Sequence, residues 1–397
     1  MATRQDPLLQ KVAKIPLAGR TWFRDYADSD VQPALSNIGQ HYKNVYFKRH
    51  VTFDKDKTGI ILISKRPGLY AADTMTGMTA GFSASPSQYG ADWVGVYQSD
   101  TNEVKMYIDG SATDTLSVTA PVAANRPLIY EDTSGTPQYA FLVYAGVETN
   151  RKVFAGASGA LAAIVDVDFP PVENLFGDFV YQNGYVYVFD GVRGRIYNSD
   201  INDPTAWTAT SFLSVQSKGL GRSLQLYKDK ITAFGKNYIE FFEDVGNATG
   251  SPLQAIPYRR IVDYGITGGG GATAAQARGQ KQIFAGRDTI FWINNPALGT
   301  GPGVFTFESY QVRKLSTPEV DLDLERNVNN EPIIGGILSV FGIPHLVVHT
   351  GENTSPNYIW LYNFELDCWY TWESNIFTNP ILAIAGEFIY FSSQHAY

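Results

Sequence analysis

The chain has 397 residues and a mass of 43.8 kDa, with 44% hydrophobic, 14% aromatic and 18% charged residues, 37 Gly and a single Cys. This composition excludes a disordered chain, a coiled coil, a collagen and a small disulfide-stapled domain, and points to strands and tight turns. The formal charge of −8 argues against general coating of nucleic acid, but it is uneven: residues 1–57 hold ten Lys/Arg against six Asp, net +4, which leaves −12 on the remainder.

The first residues, Met1 to Pro7, lead into no apolar h-region, so no secretory signal is expected. No run approaches the roughly 18 apolar residues of a membrane helix. Residues 1–58 hold most of the basic clustering and little alternation. They read as an extended N-terminal arm and docking segment, with a short strand at 44–47, and residues 59–397 as the β-domain. Within this arm Lys43, Lys48, Arg49, Lys55 and Lys57 are the candidate partner contacts. A solvated basic arm is the alternative.

From Ile60 onward a period of two dominates. Strand pairs are predicted at 93–97 with 104–108 and at 140–144 with 152–155. The clearest run is Asp178 to Asp190, where Asn183-Gly184 suits a type I′ turn because both central residues need positive φ. A third strand follows at 194–199. The same grammar recurs at 224–226 with 230–234, at 238–242, and at 282–285 with 289–293. It recurs again at 338–341 with 345–349, at 358–363 with 369–372, and at 381–385 with 388–392. Helix is nearly absent: Ala272 to Ala277 suits one turn, behind a flexible tetraglycine at 268–271. Short antiparallel meanders that bury one apolar face each must stack on neighbours, and radial stacking protects their edges. The expected fold is therefore all-β, a β-propeller of about six blades, with a double-sheet sandwich as the alternative.

Candidate chemistry is weak throughout. Residues 268–271 lack the Lys-Ser/Thr of a phosphate loop, and Gly219-Leu220-Gly221-Arg222 lacks the third glycine and the helix of a dinucleotide turn; both read as turns. His345 and His349 lie on a predicted strand, where four residues span about 13 Å, too far for one zinc ion. Asp321, Asp323 and Glu325 would share one face of a strand, as glycosidase acids do, but they read better as an exposed acidic edge, and Asp166 and Asp168 likewise. Ser199 to Trp207 resembles the Asp-box turn of sialidase-like propellers, which is structural. No G-x-S-x-G marks a nucleophile elbow. Cys368 has no local base and reads as a small strand residue; a lone cysteine allows no intrachain disulfide and fits a reducing cytosol. Trp369-Tyr370-Thr371-Trp372 reads as blade core, with a sugar- or protein-binding surface as the alternative. A non-enzyme without cofactor or metal is expected.

Four blocks carry a family likeness. The first is Asn44-Val45-Tyr46-Phe47 with Ser64-Lys65-Arg66-Pro67-Gly68-Leu69. The second is Asp190-Gly191-Val192-Arg193-Gly194-Arg195-Ile196-Tyr197-Asn198-Ser199 with Asp203-Pro204 and Trp207. The third runs from Leu226 to Ile231, then from Phe234 to Phe242, then Gly246. The fourth is Leu315 to Val320, Gly342 to His345, Trp360-Leu361-Tyr362 and Cys368-Trp369-Tyr370. In order and spacing these blocks, which span most of residues 44–372, resemble the DNA-stabilisation and tail-nozzle proteins of short-tailed bacteriophages. The departures are an end soon after Phe391, where the closing blade is due, and residues 1–30, which match no part of that pattern.

The resemblance implies a structural virion protein of the tail, made in the host cytoplasm and built on a propeller. It implies a homo-hexameric ring below the portal or adaptor that retains packaged DNA and conducts it during ejection. Its partners would be a tail adaptor or portal-proximal protein, a tail needle, plug or fibre, and double-stranded DNA passing the lumen without sequence recognition, with no membrane. The basic cluster would then meet the adaptor or a neighbouring subunit. A propeller-fold glycan hydrolase or lyase, or a host-glycan-binding module of a phage tail, is the alternative.

Overall fold

The computed structural model describes strands at 45–50, 60–65, 73–74, 78–85, 94–99, 103–108, 111–117 and 121–124, most of residues 128–373, and strands at 381–385, 388–391 and 395–396. Within 128–373 the undescribed residues are 134, 136, 146–151, 158–161, 248, 268–282, 287–288, 328–333, 341 and 350–357. The tetraglycine, Ala272 to Ala277, and Lys43, Lys55 and Lys57 thus lie outside the described residues.

Among the described residues seven antiparallel sheets of four or five strands follow one another: 78–117, 121–163, 180–214, 221–262, 283–314, 334–373, and 381–396 completed by Asp73–Thr74. They are sheets 1 to 7 in chain order. Sheets 1 and 3 to 6 are simple four-strand meanders; sheet 2 has five strands, because both Pro121–Ala124 and Leu128–Glu131 pair with Pro137–Ala145. Contacts between sheets run in a circuit. Met78–Ser85 lies against Pro121–Ala124, Leu128–Glu131 against Val180–Gln182, and Tyr185–Asp190 against Gly221–Tyr227. Gly221–Tyr227 lies against Ile283–Gly286, that strand against Ile334–Val340, and Ile334–Val340 against Ile381–Ala385, which returns to Met78–Ser85. The ring is closed, and the fold is the expected β-propeller, with one sheet more than the six or so expected.

Closure joins the two ends of the β-domain. Asp73–Thr74 pairs with His395–Ala396 in sheet 7, so the first described strand after the hairpin completes the last sheet. The hairpin itself pairs Val45–His50 with Ile60–Lys65 across residue 58. Its first strand begins one residue after the predicted one and runs three residues further.

The predicted type I′ turn is present: Asn183 and Gly184 have φ of 51° and 90°, between Val180–Gln182 and Tyr185–Asp190. The apolar pattern, however, serves two faces. In Thr289–Asn294, Ile290 and Trp292 face a cluster with Phe234, Ile239 and Phe241 of sheet 4. Phe291 and Ile293, the alternate residues, face Leu346, Val348, Trp360 and Tyr362 of sheet 6. Tyr187 and Phe189 likewise meet sheet 4, while Val186 and Val188 meet sheet 2. Central strands of a propeller are covered on both sides, so their sequences run nearly continuously apolar. Each fully buried large side chain of this kind contributes roughly 1.5–3 kcal/mol.

One helix interrupts the pattern. Pro318–Asn327 is α-helical, where the sequence reading had a strand-like acidic edge. Proline is preorganised for a first helical turn, acidic residues there suit the helix dipole, and Arg326 suits the last turn. Val320 and Leu324, one turn apart, plug the wedge between sheets 5 and 6.

Close approach between sheets depends on missing side chains. A Cβ on Gly335 would stand 2.0 Å from Phe284 Cε1, and one on Gly221 would stand 2.3 Å from the Phe189 ring. Both distances fall below any real contact, and each aromatic belongs to the preceding sheet. We expect Gly335→Ala to destabilise the fold by about 1–3 kcal/mol through overpacking. Gly299→Ala, built into open space, should stay within about 0.5 kcal/mol. Urea unfolding midpoints of the two variants check this; equal midpoints would remove the close-approach account.

Candidate functional site

The basic cluster is only partly in view. Lys48 and Arg49 lie on the hairpin strand Val45–His50, opposite Leu62 and Ile61. That strand lies against Cys368–Glu373 of sheet 6.

The carboxylates read as an exposed acidic edge go to three different environments. Asp321 pairs with Lys314 at 2.6 Å and accepts from Ser316 Oγ. Burial raises its pKa, with Lys314 and Ser316 pulling the other way. Asp323 is buried and accepts from Tyr358 OH at 2.7 Å and Trp360 Nε1 at 2.8 Å. Glu325 is exposed. The exposed-edge reading therefore holds for Glu325 alone. A helix turns each residue by about 100°, so positions two apart diverge where a strand would align them. Asp323 is an anchor between helix and sheet 6, not an acid in a cleft.

Asp166 does structural work as well. It accepts from Asp168 N at 2.9 Å and from Trp207 N at 3.0 Å, and these two bonds hold its carboxyl below the ordinary range. It thereby ties the strap at 162–171 to Asp203–Ser214 of sheet 3. The Asp-box-like turn behaves as such turns do. Asp203 Oδ1 accepts from Thr205 N at 2.9 Å, and Trp207 Nε1 donates to the Pro204 carbonyl at 2.9 Å.

Trp369, Tyr370, Thr371 and Trp372 are buried in sheet 6, as blade core. Cys368 is buried beside them, and burial, with Asp367 adding to it, pushes its thiol up to about 12. Its thiolate is scarce at neutral pH.

His345 is fully buried on Ile343–His349. Its Nδ1 stands 2.8 Å from the Ile343 carbonyl, so that nitrogen donates. Its Nε2 then accepts from Asn363 Nδ2 at 3.2 Å. The Asn363 amide is oriented by its other end, where Oδ1 accepts from Glu365 N and Leu366 N at 2.9 and 3.1 Å. The Nε2 lone pair is thus already used inside the blade. Among the described residues no group of three or more His, Cys, Asp or Glu is placed to hold a metal.

The cleft of interest lies between sheets 5 and 6, with a volume of about 580 Å³. Its walls include Phe291, Phe307, Tyr362 and Phe364. At its mouth Arg313 stands 3.7 Å from Glu308 and 3.3 Å from Asp367. Asp367 also accepts from Tyr362 OH. One guanidinium therefore serves two carboxylates and joins sheet 5 to the turn between Tyr358–Asn363 and Cys368–Glu373 of sheet 6. The arrangement is a brace between sheets, without a nucleophile beside a base. Arg313 was not singled out from sequence, and Asp323 was read there as part of an exposed edge and not as an anchor; both depend on partners more than 30 residues away.

Among the described residues the most exposed large apolar side chains are neighbours. Val165 and Val167 on the strap are 86% and 95% exposed.

A family model described as Bacteriophage P22 Gp10, beta-propeller, matches residues 138–367. No curated protein sequence matches the chain. Among solved structures, BBS1N from its complex with ARL6DN matches at 12% identity and a TM-score of 0.45, over 82% of this chain and 92% of that one. Raptor from Chaetomium thermophilum matches at 11% and 0.45, over 82% of this chain and 28% of that one. KlHsv2 with a loop replaced by a Gly-Ser linker matches at 10% and 0.38, over 83% and 90%.

His345 sets a pH dependence. Burial pulls its pKa from 6.5 down to about 4, against the pull of the Ile343 carbonyl bond. The unfolded chain then takes up the proton first. Stability is full above pH 6.5 and falls as pH drops toward 4, by up to about 3 kcal/mol from this group. Urea unfolding between pH 7 and pH 4 should show the loss, and His345→Gln should flatten it. An equally steep profile in a folded variant would assign the loss to other groups.

Proposed function

This chain belongs to the bacteriophage stabilisation family of β-propellers, and from that premise we propose that it forms a ring in the virion tail which retains packaged DNA and conducts it at ejection. The family match over residues 138–367 carries the reading. Membership makes the chain a structural component of the phage virion, in a family of stabilising and not catalytic proteins. Among the described residues no helix is long and apolar enough to cross a membrane.

The finer reading is a homo-hexamer below the portal or adaptor. Its partners are a tail adaptor, a needle, plug or fibre, and DNA crossing the lumen of the ring. Three features support it. The propeller is braced from sheet to sheet by buried aromatics, which suits a spacer under load. The chain carries a net charge of −8, and acidic walls repel phosphate and let a duplex slide, where basic walls would hold it. Val165 and Val167 offer an apolar strip that a subunit contact would cover. Residues 1–58, with Lys43, Lys48, Arg49, Lys55 and Lys57, are the segment assigned to the adaptor or the neighbouring subunit. Residues 59–397 carry the propeller, whose seven sheets begin at Asp73.

Light scattering of the purified chain should give six subunit masses, and imaging of the particle should place its density on the tail axis. Density confined to the capsid wall, or a monomer bound to the tail fibres, would refute the ring.

A further inference from the structure

Arg222 is the second residue of Gly221–Tyr227, the first strand of sheet 4. The ladder slips at this point: Gly221 pairs with Gly235 and Ser223 with Phe234, which leaves Arg222 as the extra residue of a β-bulge. A bulge re-aims one side chain out of the regular pleat. Only 7% of Arg222 stays exposed, and its Nε is buried without a hydrogen-bond partner. The guanidinium instead stands over the Phe176 ring, 5.6 Å from the centroid.

Burial works against its charge, the buried Tyr238 hydroxyl beside it is neutral at physiological pH, and among the described residues no carboxylate pairs with it. Tyr238 is itself buried, with a hydroxyl that has no hydrogen-bond partner. A guanidinium stays protonated at physiological pH, and a buried charge without a counter-charge is strongly destabilising. Nearby buried charges are handled otherwise. Glu240 accepts from Ser217 Oγ and from Gln216 N, and faces Arg260 at 3.7 Å. Asp190 accepts from Arg193 N at 2.8 Å. Among the buried charges of the described residues Arg222 is the exception.

The surroundings are rigid, and the buried Glu240 carboxylate acts on Tyr238 together with Arg222. A Cβ on Gly191 would meet the Gly221 carbonyl oxygen at 2.6 Å and the Phe176 ring at 2.8 Å, so the junction beneath Arg222 is tightly packed. Two loops meet beside it, where Lys236 N donates to the Leu220 carbonyl at 3.0 Å. Lys218 and Lys236 are exposed on these loops.

We propose that Arg222 is the centre of an oxyanion site at the junction of sheets 3 and 4. It takes one phosphate or carboxylate group on the terminal nitrogens of its guanidinium, with Lys218 and Lys236 drawing the anion in. Charge-assisted bonds then compensate the buried cation, and the bulge is explained as the device that aims it. The site does not rest on tail assembly and stands or falls apart from it.

Inorganic phosphate and acetate are each titrated into the full chain in chloride buffer. The 15N-edited resonance of Arg222 Nε–H is followed, assigned by its loss in Arg222→Gln, alongside thermal unfolding. The expected result is a saturable shift of that resonance and a saturable rise of the unfolding midpoint, weakened about tenfold or more in the variant. A response to phosphate alone assigns a phosphoryl ligand; a response to both assigns a general carboxylate and phosphate site. An unmoved resonance, with the same midpoint rise in wild type and variant, is general salt stabilisation and overturns the proposal. Should Arg222→Gln not fold, Arg222→Met supplies the assignment, since an apolar chain of similar length suits a buried niche better than an unpaired amide.

Discussion

At two junctions of this ring, between sheets 3 and 4 and between sheets 5 and 6, neighbouring strands come closer than two side chains allow. Phe284 lies where a Cβ of Gly335 would be, and Phe189 where a Cβ of Gly221 would be. Each pair sets an aromatic ring of one sheet against bare backbone of the next. The wedge angle between sheets follows from that contact, and with it the packing further out. Trp292 can fill the space toward Phe234 and Phe307 because the inner strands have already met. Covered on both faces, a central strand has no solvent side, and the sheet has no stable existence apart from its neighbours.

This two-sided burial explains what the sequence displays and what it hides. Ile290-Phe291-Trp292-Ile293 and Val186-Tyr187-Val188-Phe189 announce strands by their β-branched and aromatic content, and Asn183-Gly184 announces its turn by chemistry that works locally. The helix at Pro318–Asn327 was hidden because Asp321, Asp323 and Glu325 happen to fall two apart, which mimics the period of a strand. Thr317-Pro318-Glu319, a hydroxyl residue before a helical proline and an acid, was the signal available. Closure of the ring was illegible for another reason. Asp73–Thr74 and His395–Ala396 are two-residue strands, too short for any periodicity, and their pairing spans almost the whole chain. The site residues divide the same way. Cys368 and the Trp369 to Trp372 run read correctly because burial in a strand is a local expectation, whereas the partners of Asp323 and Arg313 are set by which sheets become neighbours.

Sheets 3 to 5 are also coupled through the backbone. Gly191 N donates to the Asn174 carbonyl, and Gly221 N to the Gly191 carbonyl. Lys236 N donates to Leu220, Ile266 N to Gly235, and Asn295 N to Gly265. The last three of these link successive loops from sheet 4 into sheet 5, and Asn295 Nδ2 adds a bond to the Lys236 carbonyl at 3.1 Å. Strand ends are pinned too: the buried Asn294 accepts from Gly265 N at 3.0 Å and donates to the Gly301 carbonyl at 2.9 Å. Loops tied in this way cannot hinge without breaking buried bonds. Such a ring resists shear between sheets, a property that serves a spacer better than an enzyme that must open and close.

The same economy runs through the charges. Asp323 is held by Tyr358 and Trp360, Asp166 by two backbone amides, Asp321 by Lys314 and Ser316, and Asp367 by Arg313 and Tyr362. Each carboxylate is used as a fastening between elements, and each fastening lowers the freedom that chemistry would need. A protein built on this rule has no reason to bury a cation alone. Where a sequence breaks its own local logic without a compensating contact in the fold, the compensation lies outside the fold. Arg222 is such a break, set on a bulge at a sheet junction, and a ligand or partner anion is the group that completes it.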